Sequence, residues 1–192
     1  MTRWHLLFFG LVFLCAIQPR CARADTPAVT ADLLCAVKSA IKLHRQPVWT
    51  PERCEEVEAA LNATPDPRQM AAICTNESDL NERALVEVRP GVYDVGLCGV
   101  RCVLGQDKRC TNGPARGYTL AQLMAPVTSI HVADLVLNSH GGSLRKYNGG
   151  TREHGYEARI GAIMSALGGV EVRVKGHRME KLVRQIAKAT RP

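Results

Sequence analysis

The stretch AAICTNESDLN, Ala71 to Asn81, decides how this chain is read. Just upstream, Asp66 followed by Pro67 has the form of a helix N-cap and first helical residue. Met70, Ile73, Cys74 and Glu77 then recur at the spacing of one helix face. The pattern predicts a buried helix that carries a carboxylic acid, Glu77, on its apolar side near the C-terminal end. Burial disfavours the carboxylate anion and raises its pKa, which is the condition a general acid needs near neutral pH. The competing account is a surface Glu in a frayed last turn, since charged side chains are seldom buried unless paired or used.

Working outward, further pieces follow in a fixed order. Glu77-Ser78 is followed by Asn81, then by Tyr93-Asp94-Val95-Gly96-Leu97, then by Tyr147-Asn148-Gly149-Gly150. This order resembles the lytic transglycosylases of the lysozyme superfamily, whose pattern is E-S-x-x-N, then G-L-M-Q, then A-Y-N. The resemblance runs from about Leu33 to Leu167, and Asp94-x-Gly96-Leu97 is most similar to small transglycosylases attached to conjugation and secretion machines. Two departures stand out: Cys98-Gly99 replaces Met-Gln, and Lys146 replaces the small residue before Tyr-Asn.

The resemblance implies a mainly helical α+β, lysozyme-like domain with a small β-element at a glycan cleft. It implies cleavage of the β-1,4 bond between N-acetylmuramic acid and N-acetylglucosamine in peptidoglycan strands. Glu77 would protonate the glycosidic oxygen, the substrate's acetamido group would stabilise the oxocarbenium charge, and Glu77 would then take a proton from the C6 hydroxyl to leave a 1,6-anhydro end. Ser78, Asn81, Asp94, Gly96 and Leu97 would shape the substrate site, and Tyr147 with Asn148 would hold acid and sugar. No metal or cofactor is implied. The expected partners are the glycan strands and a secretion or conjugation apparatus, with the chain itself a monomer. Two rivals remain: a hydrolytic lysozyme using Glu77 and Asp94 as a close pair about 5 Å apart, and a glycan-binding protein without turnover.

Residues 1–24 read as a secretory signal peptide. Arg3 supplies the positive start, Leu6 to Ile17 the apolar run, and Ala22-Arg23-Ala24 the small-x-small cleavage signal. The run is too short to span a membrane, and Cys15 and Cys21 lack the small residues that precede a lipidated cysteine. The expected location is therefore periplasmic or secreted. Six cysteines follow the cleavage signal: Cys35, Cys54, Cys74, Cys98, Cys102 and Cys110. An even count in an exported chain implies disulfides, but six cysteines permit about fifteen pairings. Proximity favours Cys35 with Cys54, Cys74 with Cys98, and Cys102 with Cys110. A zinc site on Cys98, Cys102 and Cys110 is the weaker account, having no fourth paired ligand.

The remaining pattern is scaffold. Thr30 caps a predicted helix to about Arg45, and Thr50-Pro51 opens a second to about Asn62. Ala84–Val88 and Val92–Leu97 flank the turn signal Arg89-Pro90-Gly91, and Gly99–Tyr118 reads as an irregular loop. Thr119 caps a short turn, Pro126 opens a helix to about Ser139 that is apolar on most sides, and Glu153 to Leu167 closes the domain of residues 25–169. Asn62-Ala63-Thr64 and Asn76-Glu77-Ser78 fit the N-glycosylation triplet, the second beside the acid.

Residues 170–192 form a basic tail, with seven Lys or Arg against two Glu. From residue 25 onward the chain keeps 22 basic groups, 25 less Arg3, Arg20 and Arg23, against 18 acidic ones, so this tail holds its net positive charge. Met179, Leu182, Val183 and Ile186 predict an amphipathic helix with a basic outer face, attracted to anionic glycan, acidic lipid or a partner, or simply solvated. Export and the absence of aromatics among the basic residues argue against nucleic acid.

Overall fold

Three capped helices open the structure, a computed structural model that describes residues 29–41, 48–148 and 155–191. The expected signal segment, residues 1–24, lies outside the described residues. Helices α1 (Ala31–Ala40), α2 (Pro51–Asn62) and α3 (Pro67–Ser78) each begin at a side chain that accepts a free N–H of the first turn. Thr30 accepts from Leu33, Thr50 from Arg53 and Asp66 from Gln69, and proline opens both α2 and α3. Helix α1 stops at Ala40, with Ile41 as its C-cap, short of the expected Arg45; residues 42–47 are not described.

A three-stranded antiparallel meander follows, β1 (Leu85–Arg89), β2 (Val92–Val95) and β3 (Val100–Val103), in that order across the sheet. The hairpin turns at Gly91, whose φ of +74° suits glycine. Strand β3 corrects the expectation of an irregular loop from Gly99 onward. Val100 and Cys102 point inward while Arg101 faces out, a period-two pattern only four residues long. The loop beyond it is pinned by the Cys102–Cys110 disulfide and contains a 3₁₀ turn at Gly113–Ala115.

Helices α4 (Leu120–Met124), α5 (Pro126–Ser139), α6 (Leu144–Tyr147), α7 (Tyr156–Leu167) and α8 (His177–Thr190) complete the architecture, which is mainly helical α+β. Thr119 and Gln122 form a reciprocal capping box on α4, and Ser143 caps α6. Helix α5 is less enclosed than its composition predicts. It buries Ile130, Val132, Ala133 and Leu137, but Val127 and Leu135 remain 45% and 39% exposed. The reason is placement: α5 packs chiefly on α2 and α4, with smaller contacts to the 3₁₀ turn, α6, α3 and β3, and these neighbours leave Val127 and Leu135 uncovered.

Helix α3 lies against α7, α7 against α8, and α8 against α1. The basic tail is thus part of the same core, into which α8 sends Leu182, Val183, Ile186 and Ala187. Its Lys181, Arg184 and Lys188 face outward. Among the described residues no helix is long and apolar enough to cross a membrane.

The three cysteine pairs are Cys35–Cys54, Cys74–Cys98 and Cys102–Cys110, joining α1 to α2, α3 to the turn after β2, and β3 to its loop. Their cysteines are therefore consumed, which removes the zinc reading. Each such closure stabilises by about 2 to 4 kcal/mol, chiefly by limiting the unfolded chain. Protein taken from the exported fraction should titrate with no free thiol, and reduction should lower its Tm clearly. Six free thiols would contradict the pairing.

Candidate active site

The C-terminal turn of α3 places Glu77 at the edge of a cleft of about 390 Å³. The sheet side of the cleft is formed by Asp94, Gly99, Val100 and Arg101, and the helical side by Val136, His140, Lys146, Tyr147 and Asn148. Glu77 is not inside the apolar core as its spacing predicts. Its neighbours Ile73, Cys74 and Thr75 are buried, whereas Glu77 itself is exposed through the mouth of the cleft. The residue as a whole meets solvent, yet its carboxyl is packed against the Tyr156 hydroxyl and the Gly99 turn and is partly desolvated.

That desolvation is the leading cause of a raised Glu77 pKa, with repulsion from Asp94 adding to it. Hydrogen bonds from Tyr156 and Asn76 and the charge of Arg159 pull the other way and do not cancel it. The Tyr156 hydroxyl donates to Oε1 of Glu77 at 2.7 Å and Asn76 Nδ2 donates to the same oxygen at 3.3 Å. Among the described residues, no hydrogen bond engages Oε2. Burial and the nearby Glu77 push the Tyr156 phenol well above its ordinary value, which keeps it a neutral donor. Arg159 stacks over the Tyr156 ring at 5.6 Å.

Tyr156 is the residue that sequence reasoning missed. At the head of Tyr156, Ile160, Ile163 and Leu167 it reads as one more member of a core stripe, and it is indeed 3% exposed. The available signal was chemical: a buried tyrosine needs a partner for its hydroxyl. The contact to Glu77 expected of Tyr147 is made by Tyr156, and the Tyr147 hydroxyl donates to the carbonyl of Cys98 at 3.2 Å. Tyr147 and Asn148 do line the cleft. Gly149 and Gly150 lie outside the described residues.

The turn Gly96–Gly99 holds Glu77 from below, and its polar atoms are claimed by three helices. Ser78 of α3 donates its hydroxyl to the Leu97 carbonyl, Ser129 of α5 accepts the Cys98 N–H at 3.0 Å, and Tyr147 of α6 takes the Cys98 carbonyl. The Cys74–Cys98 disulfide adds a covalent tie one helical turn before Glu77. Gly96 and Leu97 do not line the cleft, contrary to the expectation that they shape a substrate site. Leu97 is fully buried, and a Cβ on Gly96, at φ +74°, would be driven into the carbonyl of Leu123. Both residues act as packing beneath the site.

Ser78 and Asn81 are likewise structural. The Ser78 hydroxyl accepts the Asn81 N–H at 2.9 Å, and Asn81 Oδ1 accepts the Arg83 N–H at 3.1 Å. This closes the turn that leaves α3, where Asp79 and Leu80 both take φ of 55°. Lys38 of α1 donates to the Leu80 carbonyl at 2.7 Å, and Arg178 of α8 donates to Asp79 at 2.7 Å. Burial lowers the Lys38 pKa to about 8. Two distant helices thus fix the end of α3 from which Glu77 projects.

Asp94 lies in the cleft, directly across the sheet from Arg101. Arg101 Nε and Nη2 reach its two oxygens at 2.6 Å and 2.9 Å, the forked geometry that engages a whole carboxylate. The cleft thus holds one carboxyl of raised pKa, Glu77, and one carboxyl, Asp94, tied to a guanidinium. Among the described residues no cluster of three His, Cys, Asp or Glu is placed to hold a metal ion. Comparison of the chain with protein-family models, with curated proteins and with solved structures finds no match.

Proposed function

We propose that the protein is an exported, lysozyme-like lytic transglycosylase that cleaves peptidoglycan strands between N-acetylmuramic acid and N-acetylglucosamine. The observation that carries this reading is the contrast between the cleft's two carboxyl groups. Glu77 has a raised pKa and one oxygen committed to Tyr156 and Asn76, so it can deliver a proton from the other. Asp94 has both oxygens held by Arg101, so attack on an anomeric carbon would first have to break a bidentate ion pair. A single-acid mechanism, in which the substrate's acetamido group stabilises the positive charge, fits this arrangement better than a retaining pair does.

In this mechanism Glu77 protonates the glycosidic oxygen as the bond to the anomeric carbon breaks. The resulting carboxylate, held by the Tyr156 hydroxyl, then accepts the proton of the C6 hydroxyl as that oxygen closes on the anomeric carbon. No water is consumed, and Glu77 ends protonated for the next turn. Asn76 Nδ2, the atom an N-linked glycan would occupy, contacts Glu77, so the reading requires unmodified Asn76. Release of soluble fragments from purified peptidoglycan by the exported chain tests the proposal; inert wall material at all pH values would overturn it.

The same contrast gives a graded expectation for Asp94. Asp94→Asn should lose less than about tenfold in rate, roughly 1.4 kcal/mol of transition-state stabilisation. The modest loss comes from freeing Arg101 at the cleft wall. A loss as deep as that of a Glu77 variant would restore the nucleophile role and the lysozyme reading.

A further inference from the structure

We infer that the helical side of the cleft is a binding site for the carboxylate carried on the 3-O-lactyl arm of a muramyl residue. The inference rests on the glycan-cleaving reading above and names which part of the strand this wall recognises. Lys146 and His140 both line the cleft that contains Glu77, one from α6 and the other at the C-cap of α5. The charges on the sheet side are already matched, since Arg101 is spent on Asp94. Lys146 is exposed, and Ser143 fixes its backbone by accepting its N–H at 3.4 Å. The wall therefore presents an ammonium with no anionic side chain among the described residues within salt-bridge distance.

A neutral glycan has no use for that charge. The muramyl unit differs from N-acetylglucosamine by a lactyl arm that ends either in a free carboxylate or in a stem peptide bearing carboxylates. A carboxylate near Lys146 gains a charge-assisted contact, stronger than a hydrogen bond between neutral groups. Lys146 thereby fixes which sugar sits on which side of Glu77, because only one of the two alternating units carries the anion. His140 adds a second donor on the same wall.

Binding titrations with three oligosaccharides of equal length test this: muramyl strands stripped of peptide, the same strands with stem peptides, and a chito-oligosaccharide that has no carboxylate. Lys146→Ala should weaken binding of the carboxylate-bearing strands about tenfold, the equivalent of roughly 1.4 kcal/mol, and leave the chito-oligosaccharide unchanged. The difference should shrink as salt is raised. Weakening with stripped strands identifies the lactyl carboxylate, and weakening only with peptide-bearing strands identifies the peptide. Equal weakening for all three, or none, overturns the site. Lys146-dependent binding without any cleavage by the wild type would overturn the lytic reading and leave the site standing. Absence of binding to all three would overturn both.

Discussion

Glu77→Gln is expected to keep the fold and to abolish bond cleavage, with a loss of at least about a hundredfold. The amide preserves the shape of the side chain and can still accept the Tyr156 hydroxyl, but it has no proton of suitable acidity for a leaving oxygen. The raised pKa adds a pH signature. The acid must be protonated to act, so kcat/KM should fall along a basic limb that lies above the ordinary value of 4.5. Folding raises this pKa, so the folded state binds the proton more tightly than the unfolded state. The stabilising effect of protonated Glu77 is therefore full below the unfolded value and is lost as pH rises through the folded one. Glu77→Gln should consequently melt at or above the wild type near neutral pH and lose that advantage in acid. Retention of more than about a tenth of wild-type activity by the folded variant would remove Glu77 from the mechanism.

Gly99→Ala should produce the second large effect, through the position of Glu77 and not its chemistry. Gly99 has φ +60°, and a Cβ there would stand 2.9 Å from Glu77 Cβ and 3.4 Å from its Cγ and Oε2. Real Cβ atoms do not approach that closely, and the obstacle is the stem of the acid side chain, which cannot swing aside without moving the carboxyl. Misplacement of a reacting group by about 1 Å can cost about a hundredfold in rate, and we expect a loss of that order. Gly91→Ala supplies the control, since φ is +74° there but the added Cβ meets nothing within 4 Å. That variant should lose about 1 kcal/mol of stability from the left-handed backbone alone and keep its activity. Gly99→Gln, which places there the glutamine of the pattern the chain resembles, should be at least as impaired as Gly99→Ala. Full activity in Gly99→Ala would show that the turn does not position Glu77.

Gly99 also explains one of the two departures from the transglycosylase pattern. The disulfide from Cys98 draws the turn onto α3, and only glycine fits at the next position against Glu77. Lys146, the other departure, lies in the cleft wall.

Local chemistry made much of the scaffold legible. Thr30, Thr50 and Asp66 each announce a helix start because a short polar side chain satisfies a free first-turn N–H, and all three do so in the structure, while Thr119 caps a short helix where the sequence suggests a turn. The amphipathic pattern of α8 and the turn at Gly91 are equally local. Glu77 was found by its spacing, but spacing reports only which face a residue takes and not whether that face ends in core or in an open cleft. Strand β3 escaped because four residues between Gly99 and Leu104 carry too little alternation to stand out from a cysteine- and glycine-rich loop. The motif names Gly96 and Leu97 as substrate-side residues, whereas their surroundings come from α4 and α5, far along the chain. The Tyr156 contact was the least accessible, since it joins residues 79 positions apart and depends on how α7 meets α3.

The end group left on cleaved strands tests the account most directly. Purified peptidoglycan digested by the exported protein, with the fragments separated and weighed by mass spectrometry, should give muramyl ends that lack one water and have no reducing power. That is the outcome when the carboxylate of Glu77 directs the C6 hydroxyl onto the anomeric carbon while Asp94 stays tied to Arg101. Reducing muramyl ends carrying the full water from the earliest time points would contradict it and place water, and a second working carboxylate, in the cleft.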